Sequence, residues 1–368
     1  MISLHRGNIA PCATPRSSGR LQGALAHRAS SYAPSMDIES TTLAPTPMDE
    51  SGATAFAAEA QRISDAVNSF IQGKAEVVSM VLTSLLAGGH VLLEDVPGVG
   101  KTSLARSFAG ALGTDWQRIQ FTPDLLPGDV TGVSVFHQDT NTFVFHPGPI
   151  FSHVVLADEI NRASPRTQSA LLEVMEERTV TIDGTPLPVP SPFLVMATQN
   201  PIEMDGTYPL PEAQLDRFLV KTRMGYPDPA AELRVLHGEH AGAQIADVER
   251  VSSPERIGAL IAAARTVHVA PSLMQYIVSL VGHTRSMPQL RLGASPRGAL
   301  GLLRASRVRA AMLGRPFVVP GDVQALAGPV LAHRVIPSAT FEVSGGLASD
   351  AIDEAVAAVE APPVDARA

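Results

Sequence analysis

The stretch HVLLEDVPGVGKT, residues 90–102, decides the fold of this chain. It begins with a short apolar run, His90–Glu94, which predicts a buried strand. The glycine-rich turn that follows leads into residues with helical spacing, which predict a helix from about Thr102 to Leu112. Since a strand, a glycine loop and a helix in this order form a βα unit of a parallel sheet, the stretch predicts an α/β fold.

The glycine loop has the pattern of a phosphate-binding loop. Backbone N–H groups of such a loop, with the N-terminus of the next helix, form a cradle for anions. Lys101 is placed to reach the terminal phosphates of a nucleotide, and the hydroxyl of Thr102 is placed to bind Mg²⁺. The alternative is a glycine turn before a helix that Thr102 caps, but the flanking strand and helix favour the phosphate loop. The predicted cradle residues are Pro97, Gly98, Val99, Gly100, Lys101, Thr102 and Ser103.

One position departs from the usual pattern G-x-x-x-x-G-K-[ST]. Asp95 stands where the first glycine is expected. Because that position begins the turn, we expect the change to alter the geometry of the loop without removing the cradle. The two glycines that remain are needed because a Cβ would block the phosphate or forbid their dihedral angles.

Two acids follow a second apolar strand, Val154–Ala157. Acids at the carboxyl end of a strand project into the crevice where open α/β sheets bind ligands. Asp158 is therefore predicted to hold Mg²⁺, and Glu159 to orient and deprotonate an attacking water. The alternative is a pair of solvated acids at the boundary between strand and loop. The phosphate loop upstream favours the functional interpretation.

Three further polar residues are candidates for the same site. Asn200 follows the apolar run Phe193–Ala197 and is predicted to hydrogen-bond the γ-phosphate or the water, although a turn residue before a proline has the same pattern. Arg217 precedes a strand and is a candidate for neutralising transition-state charge, or else for a surface ion pair with Asp216. Arg297 opens a long helix, from which it either reaches the nucleotide or serves a structural role.

The rest of the chain divides into an α/β part and a helical part. Two hairpin-like inserts are predicted at about Val130–Phe145 and Thr179–Val189. Further strands are predicted at Gln117–Phe121, Phe193–Ala197 and Phe218–Lys221, and helices at Ala55–Ile71, Lys74–Leu86 and Pro165–Glu177. Beyond Pro227, the predicted elements are helices with Pro near the first turn: Pro229–His240, Pro254–Val267, Pro271–Thr284, Pro296–Leu313 and Pro320–His333.

Composition narrows the classes of function. The formal net charge is −8, which argues against a protein that coats nucleic acid, since such a protein needs a basic surface. No apolar run approaches the roughly 20 residues of a membrane-spanning helix. The single cysteine, Cys12, allows no internal disulfide and fits the reducing cytoplasm. Residues 1–50 are rich in Ser, Thr, Pro and Arg, and are a disordered tail, a targeting segment, or an upstream extension before a true start at Met36 or Met48.

Taken together, these segments resemble the AAA+ ATPases, and among them the MoxR group. The shared motifs are HVLLEDVPGVGKT, FTPDLLPGD, VVLADEINRA, LLEVMEE, ATQNP, LPEAQLDRF and GASPR, which follow the family's order between Ser69 and Arg334. Asp95 is itself typical of this group. The resemblance implies a P-loop AAA+ core, with a parallel sheet flanked by helices and with β-hairpin inserts, over residues 51–226. It also implies an all-helical lid domain over residues 227–345, followed by a flexible tail over residues 346–368.

The resemblance also implies roles for single residues. Lys101 and Thr102 correspond to the Walker A contacts, and Asp158 and Glu159 to the Walker B pair. The remaining assignments are Asn200 as sensor 1, Arg217 as arginine finger, Arg297 as sensor 2 and Ile71 at the adenine. Arg162 either faces a neighbouring subunit or is a structural arginine, so which of Arg162 and Arg217 is the main trans-acting arginine stays open.

Because an arginine finger acts across a subunit boundary, the resemblance implies a ring, usually a hexamer. Relatives commonly use ATP to assemble or activate a partner protein, often one with a von Willebrand A domain. Three alternatives are the ATPase subunit of a metal chelatase, a nucleic-acid motor, and a nucleotide-binding scaffold without turnover. Neither hairpin segment contains Lys or Arg, which argues against tracking along DNA. The three polar candidates Glu159, Asn200 and Arg217 argue against a scaffold.

Overall fold

The structure is a computed structural model that describes residues 46–71, 73–95, 98–200, 208–226, 233 and 248–363. These residues belong to one compact unit that begins at Thr46. Of the predicted N-terminal tail, residues 1–45 lie outside the described residues. The predicted helix Pro229–His240 also lies outside them, apart from Leu233.

A five-stranded parallel sheet forms the centre of the α/β part, which confirms the predicted fold class. Its strand order is β2-β5-β8-β1-β9. The carboxyl ends of all five strands therefore meet at one edge of the sheet, which we call the carboxyl edge, opposite the amino edge. The five strands are β1 (Val91–Glu94), β2 (Trp116–Gln120), β5 (Val154–Asp158), β8 (Leu194–Gln199) and β9 (Val220–Thr222).

Apolar layers cover both faces of this sheet. Successive residues of a strand point to opposite faces, so Val91 and Leu93 pack in one cluster while Leu92 packs in the other. Strands buried on both faces read as largely apolar runs, as β1, β5 and β8 do. The helices of this part are α1 (Glu50–Phe70), α2 (Ala75–Leu86), α3 (Lys101–Leu112), α4 (Pro127–Thr131), α5 (Pro165–Glu177) and α6 (Glu212–Leu215), with a 3₁₀ turn at Ile160–Arg162.

Both predicted hairpin inserts are present. The first pairs β3 (Gly132–His137) with β4 (Thr142–Pro147), and the second pairs β6 (Thr179–Ile182) with β7 (Thr185–Pro188). Their turns contain Asn141 and Asp183, which adopt positive φ angles of 51° and 50°. Asn and Asp tolerate this conformation better than other residues with a side chain, which explains their place in the turns.

The helical part starts at Pro254 in the described residues. Proline occupies the first turn of its four long helices, where the missing N–H leaves no hydrogen bond unmade. These are α7 (Pro254–Ala264), α8 (Pro271–Thr284), α9 (Pro296–Met312) and α10 (Pro320–Leu331), which continues into a 3₁₀ turn at Ala332–Arg334. A short antiparallel pairing joins β10 (Leu290–Leu292) to β11 (Ile336–Pro337), and α11 (Ala339–Val343) follows.

The structure corrects the expectation of a flexible tail over residues 346–368. Residues Ala348–Ala358 form helix α12, which packs against α8 and α10. Ala351, Ile352 and Ala355 of this helix are buried, at a spacing that places them on one face. Because this segment is rich in Ala and acidic residues, the sequence did not predict an amphipathic helix here. No helix in the described part of the chain is both long and apolar enough to cross a membrane.

Candidate nucleotide site

The predicted phosphate loop lies at the carboxyl edge, between β1 and α3. Gly98 and Gly100 adopt φ angles of 88° and 95°, and Gly100 directly precedes the helix. A Cβ at Gly98 would meet nothing within 4 Å, so its backbone conformation, and not close packing within the chain, requires glycine here. Lys101 begins α3 and is buried, and its Nζ donates to the carbonyl of Asp95 at 3.1 Å. Pro97 lies outside the described residues.

The other cradle residues follow the same turn into the helix. Val99 precedes Gly100 and is half-buried. Thr102 and Ser103 occupy the first turn of α3 and are half-buried as well. The N–H groups of a first turn have no partner within their helix, so they face whatever the loop encloses.

The carboxylate of Asp95 has a structural role that the sequence did not reveal. It accepts hydrogen bonds from the backbone N–H groups of Met224 and Gly225, just beyond β9. Lys74 contacts the same segment, because its Nζ donates to the backbone carbonyls of Met224, Gly225 and Tyr226. The residue that replaces the usual glycine therefore ties the phosphate loop to the chain that leaves the α/β part.

Asp158 ends β5 beside this loop and is buried. Its Oδ1 accepts from the hydroxyl of Thr198 at 2.6 Å, and its Oδ2 accepts from Arg118 at 2.6 and 3.1 Å. The carboxylate of Asp158 and the hydroxyl of Thr102 are oxygen donors of the kind that Mg²⁺ prefers. The described residues contain no cluster of three or more His, Cys, Asp or Glu that could hold a metal ion alone. In nucleotide sites, Mg²⁺ is typically held by one or two protein ligands together with phosphates of the substrate.

Glu159 adopts a left-handed conformation, with φ 56° and ψ 48°. Residues with a side chain rarely adopt it, and such strain is typical of functional sites. Its backbone N–H donates to the Thr198 hydroxyl at 2.8 Å. Its Oε2 accepts from Arg162 at 2.9 Å and from Gln120 at 3.1 Å. Arg162, for which two interpretations were open, thus contacts the acid of its own chain.

Asn200 and Ile71 lie where the strand order and the helices place them. Asn200 directly follows β8, the strand between β5 and β1, so it lies between the acids and the phosphate loop. Its carbonyl accepts from the side chain of Asn161 at 3.3 Å. Ile71 directly follows α1 and is buried in the same apolar cluster as Val91.

The two remaining candidates, Arg217 and Arg297, lie at the amino edge. Arg217 Nε is 3.2 Å from one carboxylate oxygen of Glu176, and Arg297 donates to the other oxygen. Glu176 is close to the end of α5. Two residues later, Arg178 donates to the carbonyls of Gly88 and Phe193, which precede β1 and β8.

One chain therefore brings together Lys101, Asp158, Glu159 and Asn200, while the two arginines lie at the opposite edge of the sheet. Sequence reasoning missed four residues that hold the site together. Thr198 and Asp95 each stand within a recognised motif, which was the available signal, whereas Arg118 and Gln120 stand on β2 without any motif.

Comparisons with known proteins bear on the family and the fold of this chain. The profile of the ATPase family associated with various cellular activities (AAA) matches residues 90–220, and that of the AAA lid domain matches residues 282–355. The uncharacterized protein YeaC of Bacillus subtilis is 50% identical over 80% of this chain and 92% of its own. Chaperone MoxR1 of Mycobacterium tuberculosis is 45% identical over 77% of this chain and 78% of its own. A crystal structure from Cytophaga hutchinsonii, described as a candidate ATPase, superposes with a TM-score of 0.79 at 35% identity, over 85% of this chain and 98% of its own.

Proposed function

This chain belongs to the MoxR-type AAA+ ATPases, and from that membership we propose that it binds and hydrolyses Mg-ATP to remodel, assemble or activate a partner protein. The observation that carries the proposal is the meeting of the glycine loop with Asp158 and Glu159 at one edge of the sheet. In open α/β sheets, ligands bind at that edge.

Each residue at the carboxyl edge has its own role in the proposed hydrolysis of ATP. Lys101 and the N–H groups from Gly98 to Ser103 bind and orient the phosphates of ATP. Thr102 and Asp158 would hold Mg²⁺, which neutralises charge on the phosphate oxygens when bound. Glu159 takes the proton of the attacking water, and Asn200 orients that water or the γ-phosphate.

Completing the site requires a second subunit. Strand β1 has four residues, which span about 13 Å at about 3.3 Å per residue, so Arg217 and Arg297 lie about that far below their own phosphate loop. A ring, usually a hexamer in this family, places the amino edge of one subunit against the carboxyl edge of the next. The two arginines then act on the γ-phosphate of the neighbour's ATP, where an arginine finger contributes about 10³–10⁵ in rate.

The use of the energy of ATP hydrolysis is inferred from the first hairpin, which β3 and β4 form. Five of its exposed side chains are large and apolar, namely Val133, Val135, Phe136, Phe143 and Val144, and the rings of Phe136 and Phe143 lie 5.1 Å apart on one face of it. Between residues 130 and 145 there is no Lys or Arg. Such a surface suits apolar segments of a client protein better than a phosphate backbone. A protein with a von Willebrand A domain is the proposed client type, and the cytoplasm the proposed compartment.

The Glu159→Gln variant tests the proposed ATPase. It keeps the size of the side chain but cannot take a proton, so we expect it to retain ATP binding and to lose nearly all phosphate release. The matched control is Glu177→Gln, which removes the charge of an exposed acid at the end of α5, away from the phosphate loop. Turnover of the Glu159→Gln variant at the rate of the unchanged protein would overturn the assignment of the base. Strong stimulation of ATP hydrolysis by DNA would instead favour a nucleic-acid motor.

A further inference from the structure

A cavity of about 280 Å³ lies at the amino edge, beneath the start of β1. Helices α5 and α9 and the chain before β9 line it. Its charged lining residues are Arg178, Arg217, Arg297, Arg304 and Arg334, together with the two acids Glu176 and Asp216. The described lining therefore carries more positive than negative charge.

The two acids are already engaged. Glu176 is shared between Arg217 and Arg297. Asp216 pairs with the buried guanidinium of Arg334 at 2.7 Å. The two carboxylates therefore form ion pairs with three of the five arginines. The other two arginines of the cavity have no carboxylate partner among the described residues.

Those two cations are Arg178 and Arg304. Arg178 donates to the carbonyls of Gly88 and Phe193, each at 2.7 Å, and these neutral acceptors leave its charge in place. Burial and the charge of Arg304 lower the pKa of Arg178 to about 10. Arg304 reaches solvent, and among the described residues it has no carboxylate within 4 Å and no hydrogen-bond acceptor.

The positive charge of Arg304 lies close to the charges of other arginines. It shares one face of α9 with Arg297, two turns away, because seven residues separate them. Partial burial, followed by the charges of Arg265 and Arg297, lowers the pKa of Arg304. Like charges in such proximity destabilise one another unless an anion lies between them.

We infer that this cavity is a phosphate-binding site and that Arg304 is the residue that meets the phosphate. Planar guanidinium groups bind phosphate oxygens through paired hydrogen bonds, and the cavity presents two arginines, Arg297 and Arg304, that open to solvent. A volume of about 280 Å³, just below the range of typical ligand pockets, is ample for a phosphate group.

Two sources can supply such a group. One is the γ-phosphate of ATP held by a neighbouring subunit, and this source depends on the function proposed above. The other is a free phosphate compound. Both present the same chemistry to Arg304, so the experiment needs one measurement of binding and another of turnover.

The first measurement is a calorimetric titration of inorganic phosphate into the full-length Lys101→Ala protein, in which the phosphate loop has lost its lysine. We expect saturable binding whose Kd rises about tenfold or more in the Arg304→Ala version, as for one lost charge-assisted hydrogen bond. Arg304→Lys should recover part of the loss, since it keeps the charge without the planar fork. Arg291→Ala, which removes an exposed arginine of β10, is the control and should leave Kd unchanged. Equal Kd values with and without Arg304, or no saturable binding, would overturn the inference.

The second measurement identifies the source by mixing two variants, Glu159→Gln and Arg304→Ala. If the γ-phosphate of a neighbour is the ligand, each variant alone hydrolyses ATP slowly. The mixture then exceeds their sum, because intact phosphate loops face intact cavities in mixed rings. If Arg304→Ala hydrolyses ATP at the unchanged rate but has lost phosphate binding, the ligand is a free phosphate compound. If the unchanged protein hydrolyses no ATP, the proposed function fails, while the titration still tests the cavity.

Discussion

Replacing Thr198 by Val tests whether one buried hydroxyl positions both acids of the nucleotide site. Thr198 lies on β8 with no exposed surface. Its hydroxyl donates to Asp158 at 2.6 Å and accepts from the N–H of Glu159 at 2.8 Å. Valine has nearly the same shape but can do neither, and no water can reach a fully buried position to replace the hydroxyl.

The expected magnitude follows from these two hydrogen bonds. A bond to a charged group contributes about 1.5–3 kcal/mol and a neutral one about 0.5–1.5 kcal/mol, so Thr198→Val should destabilise the fold by about 2–4 kcal/mol. Glu159 holds a left-handed backbone conformation that this bond helps to fix. Since about 1.4 kcal/mol corresponds to a tenfold change in rate, we expect kcat to fall about 10- to 100-fold.

The assay compares kcat, KM and the Kd for ATP in EDTA among the unchanged protein, Thr198→Val and Thr198→Ser. The hydrogen bonds of the Thr198 hydroxyl go to the two acids and not to the described residues of the phosphate loop, so the Kd in EDTA should stay within about twofold. Serine keeps the hydroxyl and should restore kcat to within about threefold. If Ser lowers kcat as much as Val does, keeping the hydroxyl is not sufficient to keep kcat, and the role assigned to its two hydrogen bonds is refuted. A Val variant with unchanged kcat would refute the reasoning altogether.

Three further predictions concern other contacts. The imidazole of His90 is buried as the neutral form, donating to Met175 and accepting from the N–H of Val195, and burial holds its pKa well below the usual value. Only the unfolded chain then takes up this proton, so His90 should lower the free energy of unfolding from urea titrations as pH drops below about 6.5, by up to about 1.4 kcal/mol per unit. Glu176→Gln should strengthen phosphate binding in the titration above, because it removes negative charge from the cavity. Asp95→Asn should destabilise the protein by about 1–3 kcal/mol in the same urea titrations, since it loses one of two charge-assisted bonds to backbone N–H groups.

Much of the fold could be predicted because its signals are local. The runs at Val91–Glu94 and Val154–Asp158 are apolar throughout, as expected of strands buried on both faces. Helix starts were marked by Pro165, Pro271 and Pro296, and each of those helices begins at its proline. Helix α12 was missed because its buried face consists of few, small side chains, which give a weak periodic signal.

The contacts that hold the site could not be predicted because they are not local. Arg118 meets Asp158 across neighbouring strands, 40 residues apart in the chain. The sequence shows that Arg118 lies within one predicted strand and that Asp158 follows another, but not that these strands are neighbours. Asp95 illustrates the same limit, since its partners lie 129 and 130 residues away and offer only backbone N–H groups, which no side-chain pattern reveals.

By contrast, the edge of the sheet at which each candidate residue lies can be inferred from the sequence. In a parallel sheet, residues that follow a strand lie at one edge and residues that precede a strand lie at the other. Asn200 follows β8, whereas Arg217 precedes β9, which runs parallel to β1. Strand direction alone therefore separates Arg217 from the phosphate loop of its own chain. Arg297 lies on another element, and only its shared contact with Glu176 shows that it joins Arg217. The motif order shared with the family indicates which residues take part, but strand direction indicates which of them can serve the same nucleotide.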